Sequence, residues 1–511
     1  MQAAKRVIKN TGILYARMAI TVFISLYSTR LILTALGVND FGIFNLVGGA
    51  ITMLMFLNNA MTGATQRFMS FAEGEGNSEK QKYIFNVSLV LHLLTAILAV
   101  LLLEIVGYFL FDYILKIPIT RMEAAKFIFH FLVINTFFTI VSVPYDAVIN
   151  AHENMLLVAI LGIAETFIKL GIAIYISYVS SDKLIIYGFL IALLSVLLLV
   201  IRQIYCHYKY KEVIINIRKY FNKSLFKEMT FFAGWSLFGC SSSMIGSYGQ
   251  GILLNMFFGT AVNAAQGISI QINGQLGAFA STMLKALNPM ISKSEGAGNR
   301  ELMLEAAMRG SKISFFLLMF FVIPAFIEMP FIFKLWLKNI PEFAIVFCRL
   351  FLIKSLIDQI FITLISIIAA VGNIRKYEVI VSVLYILPLI LSFFAFQFGL
   401  PPYFLYIITI FFSIITGVFN VYYSKVYCDL PVSFFYRQIV LPSVLVLLGV
   451  FASSIIPFLF LPEGLVRLIL VVLISIGTFF PIVWFVGLTS SEKTNISLML
   501  KNVLKKMSLI K

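Results

Sequence analysis

The chain has 511 residues, of which 60% are hydrophobic and 12% charged, and its mean hydropathy is +0.98. A soluble domain is about one quarter charged, so a water-soluble globule is excluded and the missing polar surface must face lipid. The net charge of +16 does not point to nucleic acid, because Lys and Arg gather between the apolar runs, as they do in the cytoplasmic loops of membrane proteins.

A membrane helix needs about 20 mainly apolar residues to cross about 30 Å of hydrocarbon. Taken in chain order, the runs of that kind are 12–36, 41–66, 83–112, 124–149, 155–179, 184–206, 231–258, 264–290, 311–333, 343–370, 377–399, 402–424, 437–460 and 465–488. The first is too long for the apolar core of a cleaved signal peptide, holds Arg17 and lacks a small-residue cleavage site. With the N-terminus inside, 26 of the 39 Lys and Arg fall in the cytoplasmic segments and 7 on the opposite side. That bias supports an even number of spans with both termini in the cytoplasm. The longest loop, 207–230, is basic and cytoplasmic on this count. The four cysteines show no CxxC spacing and the four histidines no metal pattern. Nucleophile elbow, nucleotide loop and zinc motif are all lacking, so the chain does not read as an enzyme.

The chain repeats itself. Residues 70–79 (SFAEGEGNSE) and 292–301 (SKSEGAGNRE) share six of ten positions at an offset of 222, and the same offset pairs Gly12 with Gly234 and Gly37 with Gly259. The reading is an all-α polytopic membrane protein of about fourteen spans, with a six-helix lobe over 1–206 and a basic linker over 207–230. A second six-helix lobe covers 231–424, and two extra helices with a basic tail cover 425–511. Both lobes start on the same side, so the repeat is parallel, a design that usually holds substrate between lobes that rock.

The run Arg30-Leu-Ile-Leu-Thr-Ala-Leu-Gly37-Val-Asn-Asp40-Phe-Gly42 resembles the Arg…Leu-Gly-x-x-Asp-Tyr/Phe-Gly signature of the bacterial polysaccharide-biosynthesis (O-antigen) flippases. These belong to the multidrug/oligosaccharidyl-lipid/polysaccharide (MOP) superfamily, which also contains the multidrug and toxin extrusion (MATE) transporters and the peptidoglycan-precursor flippase. The resemblance implies a MATE-like fold in the bacterial inner membrane. It also implies transfer of undecaprenyl-pyrophosphate-linked oligosaccharide to the periplasmic leaflet, alongside glycosyltransferase and glycan-polymerase partners. A flippase needs polar groups for sugars, positive charge for the pyrophosphate and an opening to lipid.

At 100° per residue Asn45, Thr52, Asn59 and Gln66 share a face of the second span. Gln271, Gln275, Thr282 and Lys285 share a face of the eighth. Amides and hydroxyls suit sugar hydroxyls, although polar stripes also glue membrane helices together. A charge at the bilayer centre costs about 2.5–3.5 kcal/mol on insertion scales, which singles out Arg17, Arg30 and Lys285 as anion ligands. Arg30 lies roughly 140° around the first span from Arg17, so a straight helix cannot aim both at one cavity, and Arg30 can also snorkel. Glu165 with Lys169, and Lys354 with Asp358, are spaced i,i+4 and read either as structural ion pairs or as proton- or sodium-coupling sites. No organic cofactor is implied. Two other readings stay open. One is a cation-coupled drug antiporter, disfavoured because the first span carries arginines and no acid. The other is the peptidoglycan-precursor flippase.

Overall fold

The computed structural model describes residues 2–53, 55–109, 111, 117–337, 340–494 and 497–498. Among them all regular structure is helical. The helices are α1 (Gln2–Met53), α2 (Met55–Glu75), α3 (Ser78–Phe109), α4 (Ile119–Ala151), α5 (Met155–Tyr178), α6 (Lys183–Lys209), the one-turn α7 (Ile217–Tyr220) and α8 (Lys223–Gly296). They continue with α9 (Arg300–Ile327), α10 (Met329–Trp336), α11 (Ala344–Val371), α12 (Arg375–Gln397), α13 (Phe404–Cys428), α14 (Val432–Phe435), α15 (Leu441–Ser454), α16 (Ile456–Phe460) and α17 (Leu465–Ile482). Eleven helical segments among the described residues are long and apolar enough to cross a membrane. The expected spans 41–66, 231–258 and 264–290 are not among them. They run inside α1, α2 and α8, and the first and last of them carry the two polar stripes.

The chain divides into two compact units. The first is Met1–Met244, Lys285–Met303 and Ala369–Ser382, and the second Ile245–Leu284, Leu304–Ile368 and Val383–Lys511. In unit 1, α1 packs along α5 and α4 along α6. The centre of that packing is Ile43, Val47, Ile128, Phe129, Ala173 and Leu184. The outward faces invert the soluble pattern. On α3, Leu94, Leu98, Leu101 and Ile105 are half exposed while Ala96, Ala99, Leu103 and Gly107 are buried. Small residues let helices approach and large aliphatic ones meet lipid.

Unit 2 is glued by polar contacts. Thr363 donates to the Ala307 carbonyl at 2.8 Å. The buried Lys312 donates to the Gly487 carbonyl at 2.9 Å and to Glu492 at 2.8 Å. Arg467 holds the fully buried Glu328 through two bonds of 2.8 and 3.0 Å, fixing α17 to the turn between α9 and α10.

The 222-residue repeat is visible in the backbone. Gly37 breaks α1 with φ 76° and ψ 169°, and Gly259 breaks α8 with φ 80° and ψ −174°. Only glycine enters that region cheaply. Cys206 donates its thiol to the Tyr145 carbonyl at 3.8 Å, and Cys428, at the same offset, to that of Ile367 at 3.6 Å.

Candidate functional site

The repeated loops explain themselves residue by residue. Gly76 and Gly298 both have φ 69°, the left-handed position that closes a helix. Asn77 and Asn299 then donate back to the carbonyls of Ala72 at 3.3 Å and Ser294 at 2.9 Å. The same asparagine side chains cap the following helices, accepting from the amides of Lys80 at 2.9 Å and Leu302 at 3.1 Å. Gly74 and Gly296 meet each other's loops. A β-carbon on Gly74 would lie 1.9 Å from the Lys293 carbonyl oxygen, and one on Gly296 would lie 2.0 Å from that of Phe71. Within unit 1, therefore, the ends of α2 and α8 cross in backbone contact.

Charge closes the crossing. Glu73 accepts from Gln81 at 2.6 Å and from Lys293 at 3.1 Å. It also sits 3.2 Å from Nδ1 of His152, whose Nε2 lies 2.5 Å from Glu212. The imidazole stacks flat on Tyr210 with ring centres 4.3 Å apart. Burial alone would lower the His152 pKa, but the carboxylates of Glu212 and Glu73 outweigh it and push it up to about 9. Burial alone would raise Glu73, but bonds to His152 and Gln81 and the charge of Lys293 bring it down to about 2. The sequence pairs none of these residues by spacing; only the crossing brings them together.

Deeper in unit 1, Leu14 of α1, Met155 of α5 and Ala286 of α8 pack as one buried cluster. Two of them sit near a residue of interest. Three residues after Leu14, Arg17 lays its guanidinium on Gly162 of α5, where a β-carbon would lie 2.2 Å from its Nε and Cζ. Next to Ala286, Lys285 feels the charge of Arg17. Besides Lys285, the charged groups acting on Arg17 are Glu165, Arg202 and Asp146. These are engaged elsewhere: Glu165 accepts from Lys169 at 2.6 Å, and Asp146 pairs with Arg202 at 2.7 Å. Among the described residues neither Arg17 nor Lys285 has a carboxylate within 4 Å.

The other expected site residues lie as follows. Arg30 is exposed on α1. Asn59 is exposed, and Gln66 donates to Ser70 at 2.7 Å. The side chains of Asn45 and Thr52 lie outside the described residues. Gln271 and Gln275 are exposed and belong to unit 2. Lys354 and Asp358, also in unit 2, form an i,i+4 pair at 2.5 Å, and Asp358 accepts a further bond from Ser413. Asp40 of the family-like run accepts from Arg121 Nε at 2.8 Å. Arg121 also reaches Asp182 at 2.6 Å, which caps α6 through the Leu184 amide at 3.1 Å. That clasp ties α1 just past its break to the starts of α4 and α6.

One carboxylate escaped the sequence reading. Glu378, one turn into α12, packs on Gly239 of α8, where a β-carbon would meet its Oε2 at 1.9 Å. Among the described residues it has no basic partner within 4 Å. In the sequence it looks like an ordinary acid of a helix's first turn.

No protein-family model matches the chain, and no curated protein matches it in sequence. Solved structures match it in fold. A MATE in the straight conformation gives a TM-score of 0.71 at 12% identity, covering 85% of this chain and 97% of that one. An outward-facing multidrug resistance MATE family transporter of the MOP superfamily gives 0.69 at 12% identity, over 85% and 96%. A MOP superfamily transporter from Pyrococcus furiosus, described as having a binding pocket of reverse polarity, gives 0.66 at 13% identity, over 85% and 96%.

Proposed function

We propose that this multi-pass membrane protein of MATE fold is a flippase. It carries an undecaprenyl-pyrophosphate-linked oligosaccharide from the cytoplasmic to the periplasmic leaflet of a bacterial inner membrane by alternating access. The observation that carries the reading is the charge inventory around Arg17. Glu165 with Lys169 and Asp146 with Arg202 cancel as pairs, which leaves Arg17 and Lys285 over. A pyrophosphate diester is a dianion, so it matches what remains. Arginine offers phosphate oxygens a fixed fork of donors, and lysine adds a mobile point charge. Gly162 makes room for the fork.

In the proposed cycle the anion enters between Arg17 and Lys285 while the polyprenyl chain stays in lipid. Neutralising two like charges removes their repulsion and lowers the cost of enclosing them. The crossing of α2 and α8, sealed by Glu73, His152 and Lys293, is the closed form of the cytoplasmic side, and it must part to admit the next substrate. Amides of unit 1 such as Asn59 and Gln66 serve the sugars.

The test is reconstitution in liposomes with a fluorescent undecaprenyl-pyrophosphate oligosaccharide. Wild type should exchange it between leaflets, and Arg17→Ala and Lys285→Ala should lose that exchange at equal insertion. A cation-coupled antiporter is the second reading, favoured by Glu378, a carboxylate in a membrane helix without a basic partner among the described residues. No lipid exchange, together with proton-driven export of a cationic dye that Glu378→Gln abolishes, would replace the first reading by the second.

A further inference from the structure

Unit 1 has another pair of arginines, separate from Arg17 and Lys285. At the end that the charge bias gives to the cytoplasm, a cavity of about 350 Å³ is bounded by Arg67, Glu228, Phe231, Trp235, Asn373 and Arg375. Arg67 is held rigidly. Its Nε and Nη2 donate to the Ala370 carbonyl at 3.2 and 3.0 Å, and its plane lies over Phe68 at 4.6 Å. Arg375 lies over the Trp235 ring at 5.3 Å. Among the described residues neither guanidinium has a carboxylate within 4 Å. The cavity wall itself carries two arginines and one glutamate, and the other acids that act on Arg67, Glu295 and Glu75, are bonded to Arg300 and Lys80.

An apolar track leads away from this charge. Phe231, Trp235 and Phe238 share one face of α8 and touch edge to face at 5.9 and 6.2 Å. Phe231 is 57% and Phe238 47% exposed. A basic cavity at the headgroup level, continued by an exposed aromatic face along the helix, is amphipathic in the direction of a lipid molecule.

We propose that this cavity is a headgroup site for an anionic phospholipid of the surrounding bilayer. The phosphodiester lies between Arg67 and Arg375, where its single negative charge cancels the excess positive one. The polar end reaches Asn373, and the acyl chains follow Phe231, Trp235 and Phe238. Glu228 disfavours a doubly charged headgroup. The site does not depend on the flippase reading, since an antiporter of the same fold would carry it equally.

The test uses the full chain in a non-ionic detergent, following thermal unfolding during titration with dioleoylphosphatidylglycerol, dioleoylphosphatidylcholine or inorganic phosphate. Phosphatidylglycerol should raise the melting temperature by about 3 °C or more, with little effect from the other two. Arg375→Gln, a change at an exposed position, should raise the half-saturating phosphatidylglycerol concentration about five-fold or more. Arg67→Lys should do the same in part, and Arg218→Gln, on the basic 207–230 loop, should not. Equal stabilisation by phosphatidylcholine, or an unaltered titration in both Arg375→Gln and Arg67→Lys, would overturn the proposal. Phosphate acting as well as the lipid would overturn it too, making the cavity an aqueous anion site.

Discussion

The two charged clusters of unit 1 follow opposite rules. At the loop crossing, Glu73 is answered by Gln81, Lys293 and His152, and His152 is forked between two carboxylates. Around Arg17, the neighbouring acids spend their charge on Lys169 and Arg202, and two cations are left over. A satisfied network rigidifies the backbone that carries it. An unpaired charge within a membrane-spanning segment costs stability, and the half-buried Arg17 carries more of that cost than the exposed Lys285. On the proposed function the first cluster is a lock and the second a receptor.

Arg17 separates the two clusters most sharply. Arg17→Ala and Lys285→Ala should each lower leaflet exchange about a hundred-fold or more, as for loss of a charge-assisted contact of about 3 kcal/mol, while melting temperature stays level or rises. A marked loss of stability instead would make Arg17 part of the lock. Gly162→Ala keeps every charge but displaces the guanidinium, so it should weaken exchange without changing net charge or insertion.

The lock should respond in stability first. Gly74→Ala or Gly296→Ala forces a β-carbon onto a carbonyl oxygen and should cost about 1–3 kcal/mol by thermal unfolding, with easier proteolysis at the turn between α2 and α3. Unchanged melting in both variants would mean that the crossing is not tight in the membrane.

A smaller effect is expected from pH. His152 rises from 6.5 unfolded to about 9 folded, so its contribution is full below 6.5 and is lost as pH climbs to 9. Glu73 falls from 4.5 to about 2, so its contribution is present above 4.5 and is lost only as pH drops towards 2. The melting temperature of the wild type should thus decline between pH 6.5 and 9, and His152→Gln should flatten that decline. Smallest of all, Arg30→Gln at its exposed position should alter exchange by about two-fold or less.

Much of the fold was legible because lipid imposes a simple rule. Long apolar runs must be helices, since no water is present to satisfy an unpaired backbone. Gly37, Gly259 and the twin loops also stood out, because identity at a fixed offset needs no structure to be noticed. Their roles did not. Nothing local says that Gly37 and Gly259 take a positive φ, or that Gly74 and Gly296 face each other's loops.

The charged residues show the division most clearly. By itself the sequence determined the i,i+4 pairs Glu165–Lys169 and Lys354–Asp358, because one helix sets their distance. It also marked Arg17 and Lys285 as costly and therefore meaningful. Only the tertiary structure decided that Glu73 would meet His152 and Lys293, that Asp146 would take Arg202, and that Glu378 would face Gly239 with no basic partner at hand. Those outcomes depend on which helices cross and at what height. Helix crossings are set by packing over the whole length of each helix, and no short stretch of sequence contains that information.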